Sequence, residues 1–324
     1  MVSSLSLQGR ARDWATSRNG LEALLWLVLL GSLFFGLFGF AFFTLRPENL
    51  ARWPHFAGWY APAMIWGAQM QSGVCVALML LRAGELWGWN VAVRALIVLT
   101  AIGFLAEWVG TSTGYPFGAY HYTDMLGYKI DGLVPWVIPP SWFAMGIPSY
   151  FLARHLVERI APRAQEIDSH RRRRAWARVL LGGWLLMCWD LVLDPAMSHL
   201  LPYWQWLEEG FFYASPFINF VGWFVVGVLI MAVLEWGFSL AHRRPVPWTW
   251  ALAFYGLTVL LSAGLCLLAG EALPVVVFAI GVALGVTGVA FLLRWGQPGI
   301  VAASADPSAQ GPRVSASPQR DPLS

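Results

Sequence analysis

Apolar runs of bilayer length alternate with polar, arginine-bearing segments along most of the chain. Runs at 21–45, 60–82, 91–109, 136–157, 176–195, 216–240, 248–270 and 273–293 each approach the ~20 residues that a hydrocarbon core requires. The pattern predicts an all-α fold: a polytopic integral membrane helical bundle of about eight transmembrane helices spanning 21–295. A polar, basic segment precedes it at 1–20, and a Pro-, Ser-, Ala- and Gly-rich tail, expected to be disordered, follows at 296–324. The run from Leu21 to Leu45 is too long for a signal-peptide core and lacks a small-x-small cleavage site, so it reads as a retained helix. Pro139, Pro140 and Pro148 are expected to break or kink the fourth run.

Charge then orients the bundle. With both termini on the cytoplasmic side, the inner segments collect Arg10, Arg12, Arg18, Arg82, Arg94, eight arginines from Arg154 to Arg178, Arg243, Arg244 and Arg294. The outer loops hold only Arg46, Arg52 and Lys129, as the positive-inside rule requires. The expected location is the cell membrane, crossed several times. Composition agrees, at 58% hydrophobic and only 12% charged, and the small net charge of +3 speaks against nucleic acid as a partner. Cys75, Cys188 and Cys266 sit inside apolar runs and read as buried free thiols. The pair Gly281/Gly285 reads as close helix packing. The pairs Trp87/Trp89, Trp204/Trp206 and Trp248/Trp250 fall at span ends, as an interfacial aromatic belt would.

The chemistry lies where charge interrupts these runs. Asp190 and Asp194 are one helical turn apart on one face of the fifth span. Such residues cost roughly 2.5–3.5 kcal/mol on insertion, so they usually face a bundle interior and serve a function. Two carboxylates this close resist ionising together, which favours a neutral acid beside a carboxylate base. The topology brings Glu107, at the end of the third span, to the same membrane face. Two aromatic, Gly- and Pro-rich outer loops join them there, carrying Tyr115, Phe117, Tyr120 and His121 in one and His199 in the other. Trp142, Trp189, Asn219 and Trp223 complete the candidate pocket. The dipeptide Glu107-Trp108 recurs as Glu235-Trp236, but near the opposite face, and no internal repeat is read from it.

Three reaction classes could use such a face. A di-iron oxygenase needs clustered histidines, whereas His55, His121, His155, His170, His199 and His242 are scattered over both faces. A prenyltransferase could place magnesium on Asp190 and Asp194, but there is no second such pair and few basic residues stand near to meet a diphosphate. Acid-base addition of water to an apolar alkene needs an acid, a base and aromatic faces for a cation, with no metal or cofactor, and fits best. A non-catalytic pigment-binding protein is a further reading.

The residues also carry a family resemblance. The block from Glu107 to Tyr120, the segment Pro139–Met145, the stretch Trp189–Pro195 and the stretch Asn219–Trp223 resemble blocks of the CruF-type carotenoid hydratases, in the same order over roughly 60–240. The resemblance implies an integral membrane hydro-lyase that hydrates the 1,2 (or 1',2') double bond at the acyclic ψ end of a carotenoid such as γ-carotene or lycopene. The product would be a tertiary 1-hydroxy carotenoid, as in xanthophyll pathways. Implied partners are the lipid bilayer, a carotenoid drawn from it and other enzymes of the same pathway.

Overall fold

The computed structural model describes residues 4–161 and 168–294. The tail expected at 296–324 lies outside the described residues. Helix α1 (Ser4–Gly39) runs on into a π-helical turn at Phe40–Thr44, and a short α2 (Pro47–Arg52) leads to α3 (Pro54–Trp87) and α4 (Trp89–Thr113). The loop after α4 folds into short strands β1 (Tyr120–Tyr122), β2 (Lys129–Ile130) and β3 (Val134–Pro135) before α5 (Ile138–Ile160). Helix α6 (Asp168–Asp194) ends in a π-turn, Pro195–Leu200, followed by strand β4 (Trp204–Trp206) and α7 (Phe217–Ala232). A third π-turn at Val233–Gly237, then α8 (Trp248–Leu268) and α9 (Leu273–Arg294), complete the bundle.

Seven of these helices are long and apolar enough to cross a membrane, beginning with Asn19–Thr44 and ending with Leu273–Arg294. The protein is a multi-pass membrane protein. The fourth expected span corresponds to α5, which is present as a 23-residue helix but is not among those seven. It is buried without a break from Trp142 to Arg154 and packs against α3, α4, α6 and α8. Protein therefore surrounds it, and it does not need an apolar face for lipid. The expected break at Pro139 and Pro140 does not occur, because both stand in the first turn, where the missing N–H groups have no intrahelical acceptor to lose. Pro148 is also accommodated within the continuous helix.

Helix α6 is the axis of the bundle. Its membrane window is 78% buried, against 11–44% for the other six spans. The Gly281/Gly285 pair lets α9 close on it: a Cβ on Gly285 would lie 2.3 Å from Trp184 Cδ1, and one on Gly281 would lie 3.1 Å from Cys188 Sγ. Trp184 Nε1 donates to Gly281 O at 2.7 Å across this contact. All three cysteines are free and buried, as expected.

Antiparallel packing gives the bundle two chemically distinct ends. At one end, Asn219 at the start of α7 meets Asp190 near the end of α6. At the other, Arg178 near the start of α6 meets Glu235 just beyond α7. Arg154 joins the second end by donating to Leu240 O and Arg243 O.

Candidate active site

Strands β1 and β4 form an antiparallel pair that closes the first of these ends, with Tyr120 opposite Trp206, His121 opposite Gln205 and Tyr122 opposite Trp204. The pleat turns alternate side chains to opposite faces. Tyr120, Tyr122, Trp204 and Trp206 therefore face the bundle, while His121 and Gln205 are exposed. Beneath them lies a cavity of about 1210 Å³, larger than the roughly 300–1,000 Å³ of ordinary small-molecule pockets. Among the described residues its wall includes Glu107, Asp190 and Asp194 but no lysine, arginine or histidine.

Each carboxylate is held by neutral donors. Glu107 Oε2 accepts from Tyr120 Oη at 2.5 Å and Tyr122 Oη at 2.8 Å, and Oε1 accepts from Trp142 Nε1 at 3.1 Å. Glu107 is not paired with Lys129, the one lysine of the outer loops. Lys129 instead bonds Asp124 at 2.8 Å and Tyr122 O at 3.1 Å. Burial first, and then the adjacent Glu107 charge, push the Tyr120 and Tyr122 phenols well above their ordinary range, so both remain proton donors. Asp190 Oδ2 accepts from Asn219 Nδ2 at 2.7 Å, and Asp194 Oδ1 accepts from Trp204 Nε1 at 2.6 Å. The second oxygen of Asp194 is buried with no partner.

Local sequence explains why Asp194 sits where it does. Pro195 lacks an N–H, and its ring clashes with the carbonyl four residues back, so the helix widens into the π-turn directly after Asp194. That turn directs the chain into β4, whose first residue reaches back to the carboxylate. Aromatic rings form the floor. Trp142 and Trp223 stack with centroids 4.4 Å apart, Phe117 lies 6.2 Å from Trp142, and Trp189 meets Trp223 edge-on at 5.8 Å. Gly103 makes room for this stack, since a Cβ there would stand 2.4 Å from Trp142 Cδ1.

Of the residues expected at the site, the cavity wall includes Asp190, Asp194, Glu107, Phe117, Tyr120, Trp142, Trp189, Asn219 and Trp223. Three expected binding residues are placed elsewhere. Tyr115 is 71% exposed in the loop after α4, His121 is turned outward by the β1 pleat, and His199 is exposed on the π-turn with its ring 5.4 Å from Tyr213. Trp204 and Trp206, expected in an interfacial belt, line the cavity instead. Tyr122 and Tyr203 are further lining residues that the sequence reading did not single out. So are α1 and α3, whose Phe35, Phe38, Trp66 and Met70 line the cavity while remaining exposed on the surface of the bundle.

Known proteins share much of this chain. Residues 67–287 match the family described as "Carotenoid biosynthesis protein". A bisanhydrobacterioruberin hydratase from Haloarcula japonica is 30% identical over 150 residues, 46% of this chain and 47% of the relative. The match thus spans about half the length of each protein. No solved structure matches the chain.

Proposed function

The chain belongs to the carotenoid biosynthesis protein family, and from that premise we propose that it is a carotenoid hydratase acting on the 1,2 (1',2') double bond of an acyclic ψ end. The observation that carries this reading is three buried carboxylates, held only by neutral donors, on the wall of an aromatic cavity whose lining includes exposed residues of α1 and α3. A neutral Asp190 protonates C2 of the terminal alkene, leaving a tertiary cation at C1. Trp142, Trp189, Trp223 and Tyr120 present ring faces and edges in the same cavity, and a desolvated cation–π contact is worth roughly 2 kcal/mol. Water attacks C1, and its proton passes to a carboxylate acting as base, Asp194 or Glu107.

Substrate reaches the site laterally from the bilayer in this reading. The apolar lining shared by α1 and α3 suits a polyene, and the far end group can stay in lipid, so one enzyme can accept cyclic or acyclic partners at that end. Orientation with both termini cytoplasmic and contact with other enzymes of the pathway belong to the same proposal. A magnesium-dependent prenyltransferase is less well supported, because the lining offers a diphosphate three acids and no base.

The test is conversion of γ-carotene or lycopene in membranes containing the protein, under anoxic conditions in ¹⁸O-labelled water. The expected product carries one added water with its oxygen from solvent. Product formed only with molecular oxygen, or pigment bound but unchanged in mass, refutes hydration.

A further inference from the structure

Helices α1 and α3 run antiparallel and are tied to each other near both ends. Away from the carboxylates, Arg82 of α3 bonds Glu22 of α1, which also accepts from Trp250 Nε1 of α8 at 2.8 Å. At the carboxylate end, Tyr60 Oη of α3 donates to Gly39 O of α1 at 3.3 Å and bonds the Thr44 hydroxyl. Between these ties, Phe35 and Phe38 of α1 and Trp66 and Met70 of α3 line the cavity yet remain exposed, Phe35 and Trp66 to 70% each. Tyr60 is turned toward α1, and Gly67 lies two turns further along α3 on nearly the same face. Two turns from Gly39 in the same direction along α1 stand Gly31 and Ser32. Gly31 and Gly67 both line the cavity, and a Cβ on either would meet nothing within 4 Å. Glycine within a helix costs about 1 kcal/mol relative to alanine. Close packing against α6 offsets that cost at Gly281 and Gly285, but Gly31 and Gly67 make no such contact. They leave an unfilled space at one height of the α1–α3 seam.

We propose that Gly31 and Gly67 frame the passage by which a polyene chain runs from the cavity into the bilayer, and that they are specificity-determining residues for the chain they admit. The inference rests on the hydratase reading and deepens it. The ψ end lies at Asp190 and Asp194, and the rest of the conjugated chain leaves between the two glycines and stays threaded there during the reaction. The polar ties on either side hold the two helices in place, so the width of the slot is set by the side chains on its walls. With no Cβ on either glycine, the slot has room for the methyl branches of a polyene, and the exposed rings of Phe35 and Trp66 offer flat surfaces to its conjugated faces. A saturated lipid chain is the competing occupant, and it has no alkene end to bring to the acids.

Pigment loading tests the passage separately from the chemistry. Variants are made in lycopene-containing membranes, purified, and measured for pigment retained per protein and for added water. Gly67→Leu should lower both by about tenfold or more at wild-type accumulation, the scale on which methylenes forced into an occupied space act. Gly73→Leu is the control, because a Cβ on Gly73 of the same helix also meets nothing within 4 Å but lies outside the cavity wall; both readouts should stay at wild type. Removing the Phe35 ring from the facing helix, in Gly67→Leu with Phe35→Ala, should restore loading, which a merely weakened helix would not allow. Wild-type loading by Gly67→Leu overturns the passage, and so does an equal loss in Gly73→Leu. Should Gly67→Leu fail to accumulate, Gly67→Cys is treated in membranes with thiol reagents of increasing size. Loading should then fall with adduct size relative to wild type treated alike, and no fall overturns the proposal. Wild-type protein that retains membrane lipid in place of lycopene overturns the polyene as occupant. Wild-type protein that loads lycopene but adds no water would instead refute the hydratase reading and leave the passage standing.

Discussion

The chain buries a glutamate at each end of the bundle, each followed by tryptophan, and the two are treated in opposite ways. Glu235 is met by Arg178, whose Nε donates to its Oε2 at 2.9 Å while Nη2 bonds Oε1, and by Tyr150 Oη at 2.5 Å. Its charge is balanced, and it does not line the large cavity. Glu107 is equally buried but is met by two phenols and an indole, with Asp190 and Asp194 beside it in the same cavity wall. A cation such as Arg178 would pin those acids in their ionised form and remove the proton that the proposed reaction needs. The bundle thus places its ion pair where it braces α6 against α7 and leaves its uncompensated acids on the cavity wall.

The largest effect that would break this comparison is at Asp190. Asp190→Asn is nearly isosteric, and its amide still offers an oxygen to Asn219. General acid-base groups contribute ~100- to 10,000-fold in rate, so conversion should fall by that order while protein in the membrane stays at wild-type level. Chromatography of extracted pigment, normalised to protein, makes the measurement. Near-wild-type conversion would remove Asp190 from the role of acid.

At the other end the expectation is reversed. Arg178→Met leaves Glu235 buried and without its cation, and breaking a buried ion pair typically costs about 3–5 kcal/mol. Thermal unfolding in detergent should show a large loss of stability, and the double variant Arg178→Met with Glu235→Gln should recover much of it. Conversion per folded molecule should remain close to wild type. A loss of activity in well-folded double variant would mean that the two ends are coupled.

Much of this contrast was legible from residue types, but less from their order. Hydropathy placed the seven spans and also found α5, because burial in protein and burial in lipid demand similar apolar runs. Asp190, Asp194 and Glu107 stood out because charge inside such runs is costly. The lid over the site was misread. Tyr120-His121-Tyr122 and Trp204-Gln205-Trp206 do alternate with the period of a strand, but three residues are too few for that signal, and their pairing joins segments more than 80 positions apart. Without the pleat, His121 looked like a binding residue and Trp206 like an interfacial one. Exposed aromatics of α1 and α3 posed a different difficulty, since a lipid-facing ring and a ring lining a cavity open to lipid have the same sequence signature.

The smallest expected effects come from the two tyrosines that bond the two glutamates, and they compare the ends most directly. Tyr120 Oη and Tyr150 Oη each donate to a buried carboxylate oxygen at 2.5 Å, so Phe at either position removes the same atom from similar surroundings. A hydrogen bond to a charged group is worth about 1.5–3 kcal/mol. Glu235 keeps both bonds from Arg178 after Tyr150→Phe, so the loss should lie at the low end of that range and appear only as a modest shift in unfolding temperature. Glu107 keeps Tyr122 and Trp142 after Tyr120→Phe, but both are neutral, so its ionised form becomes harder to sustain beside Asp190 and Asp194. Conversion should therefore fall about tenfold with Tyr120→Phe and hardly at all with Tyr150→Phe, when each is normalised to folded protein. Equal losses of activity from the two substitutions would show that the charged and uncharged settings make no functional difference.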